Sequence, residues 1–238
     1  MFKNYSNIFN FIIVLCICII IYLGVDYYFN RRPFNALSEA LGSGNLSNQE
    51  FEEAKSVCRN ICKKNPKHYI KYYRHQKKIK KTKPLFTYYR IRNFFGVCPL
   101  SIIKNHSDIF LNDPDEIFHV LYGFTRQKDL PCYFTDEELI KYAKKSKDKV
   151  INVLLEAILY RYYGYDQYET KLKNIFEEFI ENGLIDPYDE IQYPLLKVLY
   201  EKNVYNRDDI QKMVDDGLDY YSDTRIFMEK LGIKGLRK

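Results

Sequence analysis

Ile158–Ile180 reads ILYRYYGYDQYETKLKNIFEEFI and contains the pattern that decides the fold. Ile158, Leu159 and Tyr160 close one apolar segment, and a polar connector around Gly164 follows. Leu172, Ile175, Phe176, Phe179 and Ile180 then recur at spacings of three and four, the spacing of one face of an α-helix. The stretch therefore predicts a helix, a short turn and a second helix. The same apolar triplet appears as Val120-Leu121-Tyr122, 38 residues earlier, and as Val198-Leu199-Tyr200, 40 residues later.

Each triplet is followed by a polar connector and a second amphipathic segment. After the first, Thr135 and Glu138 have the spacing of a capping box ahead of Leu139, Ile140 and Ala143. After the third, Asn206 precedes Ile210, Met213 and Val214. A period of 38–40 residues with two helices per unit predicts stacked helical hairpins, because one hairpin cannot bury its apolar face alone. The expected fold is all-α, with a solenoid-like helical-repeat domain over residues 99–238.

The chain ahead of this domain divides by composition. Ile8–Val25 (IFNFIIVLCICIIIYLGV) is apolar apart from Asn10 and Gly24 and carries no charge. At about 1.5 Å per residue it would reach roughly 27 Å, near the hydrocarbon thickness of a bilayer. Residues 1–32 are thus expected to be an uncleaved, single-pass transmembrane anchor. Tyr27, Tyr28 and Phe29 would sit at the headgroups, and Arg31 and Arg32 just beyond. The balance of positive charge favours the cytoplasmic side for the C-terminal domain. Residues 33–47, with Gly42-Ser43-Gly44, read as a linker or a short helix and turn.

Charge is strongly segregated. The net +6 conceals a block, residues 54–107, with 15 Lys and Arg and no Asp or Glu; residues 108–238 carry 19 basic and 26 acidic side chains. Ser47 and Glu50 open this basic helical segment (residues 48–98) with another capping-box spacing. Lys71, Arg74, Lys77, Lys78, Lys80 and Lys81 are the candidate contacts for a partner, interleaved with Tyr69, Tyr72 and Tyr73. Three readings fit them: a solvated helix face, docking on anionic lipid or an acidic protein, or phosphate contacts to nucleic acid with tyrosines stacking on bases. No helix-turn-helix, zinc-finger or RRM signature accompanies the third.

Of six cysteines, Cys16 and Cys18 lie in the apolar run. Cys58, Cys62, Cys98 and Cys132 permit two disulfides, although Cys58 falls on the apolar stripe Phe51, Ala54, Cys58, Ile61, where buried thiols suffice. His68, His75, His106 and His119 show no paired spacing with Cys58 and Cys62, so no metal is expected. The chain holds no phosphate-binding glycine loop, nucleophile elbow or H-E-x-x-H, and neither a catalytic residue nor a cofactor is assigned.

One repeat family is suggested. Gly183-Leu184-Ile185-Asp186, Tyr193-Pro194-Leu195-Leu196, then Ile210, Met213 and Gly217-Leu218-Asp219 resemble the ankyrin repeat. In that repeat a G-A-D turn leads to a T-P-L-H helix start and an apolar second helix. The resemblance spans about residues 100–220; Asn105 and Glu116 replace the glycine and proline in the first unit, and the middle unit lacks T-P-L-H. It implies a scaffold that binds other proteins. The expected function is therefore a membrane-anchored helical-repeat scaffold that is not an enzyme. The alternatives are a structural subunit of a large membrane complex and a tethered enzyme or accessory.

Overall fold

The computed structural model describes residues 3–42, 46–80, 84–111, 114–183 and 189–237, and every regular element among them is helical. α1 (Lys3–Asp26) passes through a π-helical turn, Tyr27–Arg31, into α2 (Arg32–Leu41). Then come α3 (Asn48–Lys64), α4 (Lys67–Lys80), α5 (Pro84–Val97), α6 (Leu100–Asn105) and α7 (Ser107–Phe110). The remainder is α8 (Pro114–Phe124), α9 (Asp136–Ala143), α10 (Lys149–Tyr163), α11 (Glu169–Asn182), α12 (Gln192–Glu201), α13 (Arg207–Asp215) and α14 (Ser222–Lys230).

Local chemistry sets several of these boundaries. Ser47 Oγ accepts from Glu50 N at 3.3 Å, and Ser47 N donates to the Glu50 carboxylate at 2.7 Å, which satisfies two orphan donors at the start of α3. Thr135 and Glu138 do the same for α9 at 3.2 and 2.9 Å. α10 stops where Gly164 adopts φ +76°, a left-handed cap that costs glycine nothing.

α5, α8, α10, α12 and α14 form a row in which each helix packs on the next; α9 flanks α10 and α11 flanks α12. The three apolar triplets fall on α8, α10 and α12, adjacent members of that row. α5 crosses α8 closely at Gly123. A Cβ on Gly123 would lie 2.5 Å from Phe95 Cβ and 2.6 Å from Phe95 C, so only glycine lets the two backbones approach this closely.

Of the two forms expected for residues 33–47, a linker or a short helix and turn, the described residues take the second: α2 runs to Leu41 and Gly42 follows at φ +57°. α2 buries Leu37 and Leu41 and packs on α3, α4 and α5. Its last carbonyl, Leu41, accepts from Asn93 Nδ2 at 3.2 Å, and that of Gly42, just past its end, accepts from Arg90 Nε at 2.7 Å. Tyr69, Tyr72, Tyr73, Phe94, Phe95 and Phe110 pack together beneath it, with ring centroids between 5.0 and 6.2 Å apart. Burying rings of this size supplies much of the stabilisation here, roughly 1.5–3 kcal/mol each.

The anchor expectation is corrected. Among the described residues no helix is long and apolar enough to cross a membrane. The apolar side chains described on α1 run from Ile12 to Val25 and are exposed; those of residues 8–11 lie outside the described side chains. The single-pass assignment, and the sidedness built on it, are not kept.

Candidate functional site

Two surfaces concentrate charge. The first is the outer face of α4. Its sequence, KHYIKYYRHQKKIK, contains no acidic residue, and its period sorts the two kinds of side chain. Tyr69, Tyr72, Tyr73 and Gln76 point into the core, whereas Lys71, Arg74, Lys77 and Lys78 are exposed. Positions 71, 74 and 78 stand one turn apart along one stripe, where like charges repel. Lys80 departs from the expected set: it turns inward and meets the carboxylate of buried Glu116 at 3.1 Å. Lys81 lies outside the described residues. The tyrosines expected to be available for base stacking are 0, 0 and 2 % exposed and so cannot serve as a platform.

The second surface is a cleft of about 340 Å³ between α3, the C-terminal ends of α8 and α10, and the facing sides of α12 and α14. Helical spacing delivers its residues: Tyr193, Lys197 and Glu201 lie one turn apart on α12, and Asp223, Phe227 and Lys230 on α14. Phe51, Glu52 and Lys55 come from α3. Arg126 follows the end of α8, and Arg161 lies in the last turn of α10. Six lining side chains are cationic (Lys55, Arg126, Lys128, Arg161, Lys197, Lys230) against three carboxylates (Glu52, Glu201, Asp223).

The cations here are held in place. Arg126 Nη2 meets Asp223 at 2.8 Å and its Nη1 donates to Asn93 at 3.3 Å. Its guanidinium lies 5.3–5.5 Å from the ring centres of Phe51, Tyr122 and Tyr193. Asp223, itself buried, also receives Arg92 at 3.2 Å and the Tyr122 hydroxyl at 2.5 Å. Lys197 Nζ donates to the Thr125 carbonyl at 2.7 Å, and Arg161 donates to the same oxygen. That carbonyl ends α8, where unsatisfied carbonyls carry partial negative charge. Arg161 Nε also pairs with Glu201 at 2.5 Å. Burial, reinforced by Arg161, pushes Lys197 down to about 7; Glu201 opposes the shift. Lys230 is lowered in the same direction, by burial and then by Arg126.

Cys58, Cys98 and Cys132 form no disulfide with one another; the first two are buried and the third is exposed, and the Cys62 side chain lies outside the described set. His119 is buried beside Lys80 and Arg92, and burial drives it down to about 3, leaving it neutral. Among the described residues no group of three His, Cys, Asp or Glu is placed to hold a metal. The residues of the cleft went unnoticed in sequence, although one signal existed: Lys197 is the lone charge in the apolar run Pro194–Tyr200.

Neither protein-family models, nor curated proteins, nor solved structures give a match to this chain.

Proposed function

We propose that the protein is a helical scaffold for protein–protein interaction that engages an acidic partner through the outer face of α4. The observation that carries this reading is the sorting along α4: Lys71, Arg74, Lys77 and Lys78 exposed, and every tyrosine of the helix buried. A stripe of like charges costs helix stability on its own account, and a partner carrying carboxylates offsets that cost. Burial of the tyrosines removes what a nucleic-acid surface would use beyond phosphate contacts. The adjacent row of helices, with its recurring triplets, fits a degenerate repeat array of the ankyrin kind, a rigid support for such a face.

The test uses fluorescence anisotropy with two acidic helical peptides of one composition. One has glutamates at i, i+3 and i+7; the other has them scattered around the helix. The aligned peptide should bind more tightly, its affinity should fall with added salt, and K71E/R74E/K77E/K78E should weaken it at least tenfold. Equal binding of the two peptides, or tighter binding of a single-stranded RNA, would overturn the reading.

A further inference from the structure

The cleft is separate from the α4 face, and its chemistry points elsewhere. We propose that it is a binding site for an organic phosphate, with the phosphoryl dianion among Lys197, Arg161 and Arg126 and the carbon part against Phe51 and Phe227.

Charge argues for an anion. The lining cations outnumber the carboxylates by three, and Lys197 and Arg161 spend donors on a main-chain carbonyl, which offsets only part of a charge. The Arg126 side chain is 8 % exposed, and its Nε–H is a buried donor with no acceptor among the described residues. Leaving such a donor unmade is costly, and a bound anion would lower that cost through the local potential. The same imbalance argues for a dianion over a monoanion: two surplus charges remain with Lys197 neutral and three with it protonated, and a carboxylate would cancel only one. Arginine forks and lysine point charges together are the usual chemistry of phosphoryl recognition.

Size and walls argue for an organic ester over the bare ion. About 340 Å³ exceeds the need of phosphate alone and lies in the range of small-ligand pockets. Phe51 and Phe227 form apolar walls, and Phe227 is fixed edge-on to Tyr193 and Tyr200 at 5.9 and 5.8 Å. Arg126 is pre-positioned by Asp223 and Asn93, so binding it costs little reordering.

A dianion at this place also has a proton consequence. Burial first, and then the facing groups Arg161, Arg126 and Lys230 against Glu201, three cations and one carboxylate, favour the neutral form of Lys197. A phosphoryl group would reverse that balance, so binding at pH 8 should take up a proton on Lys197.

The test is titration calorimetry on the full chain with phenyl phosphate and with benzoate, a ring of the same kind bearing a monoanion. Phenyl phosphate should bind at least tenfold more tightly than benzoate. At pH 8 its heat should vary with the ionisation enthalpy of the buffer, and this variation should vanish in Lys197→Met. Lys197→Met should weaken binding about tenfold or more, the size of one lost charge-assisted hydrogen bond. Lys230→Gln, at the exposed mouth, should weaken it severalfold and guards against a folding defect in the first variant. A phosphotyrosine peptide compared with phenyl phosphate tells whether the group arrives on a partner protein or on a free small molecule; tight binding of either upholds the site. Benzoate binding as tightly as phenyl phosphate, or unchanged affinity in both variants, would overturn the proposal.

Discussion

Lys197 Nζ lies 2.7 Å from the main-chain oxygen of Thr125, so a charged side chain on α12 caps the end of α8, two helices away in the row. Arg161 on the intervening α10 donates to the same oxygen. Two cations thus converge on one carbonyl, and the one able to release its proton near neutrality is the lysine.

This sets a pH dependence. Lys197 sits near 7 in the folded chain against the ordinary lysine value of 10.5 when unfolded, so between those values the unfolded chain binds the extra proton. Stability contributed at this site therefore rises with pH from about 7 toward 10.5, and the strain of burying the charge is greatest below 7. Lys197→Met should stabilise the protein relative to wild type more at pH 6 than at pH 9.5. Urea denaturation at the two pH values reads the difference; equal increments would contradict it.

Asp223 anchors the floor of the cleft by accepting from Arg92, Arg126 and Tyr122. Asp223→Asn keeps the shape but leaves the guanidiniums facing a neutral amide, and it should cost about 3–5 kcal/mol. Asp219→Asn removes an exposed pair with Arg237 and should cost no more than about 0.5 kcal/mol. Denaturation midpoints of the two variants give the comparison directly.

Gly123 faces Phe95 so closely that alanine would force α5 and α8 apart. Gly123→Ala should cost about 1–3 kcal/mol or more, the penalty of overpacking against backbone that cannot yield. Gly24→Ala, where nothing lies within 4 Å, should not destabilise. Thermal melts of both variants distinguish steric crowding from a general intolerance of substitution.

What could be read from sequence was what is local. The caps at Ser47 and Thr135 are set by residues three apart, and the all-helical class by spacings of three and four. The triplets at Tyr122, Tyr160 and Tyr200 marked helices that prove to be neighbours. The cleft could not be read in this way, because Arg126 and Asp223 are 97 residues apart and Tyr122 and Asp223 are 101 apart. Lys80 looked like one more surface cation until packing set it beside Glu116, 36 residues on. The apolar run near the N-terminus was read from its length, its composition and its flanking aromatic and basic residues, and among the described residues no helix supplies a span.

The face of α4 is tested most directly by zero-length carbodiimide cross-linking of the aligned acidic peptide to the full chain, followed by peptide mapping. The account predicts adducts at Lys71, Lys77 and Lys78, lost in high salt. Adducts confined to Lys55, Lys197 or Lys230, or spread evenly over the exposed lysines, would contradict it.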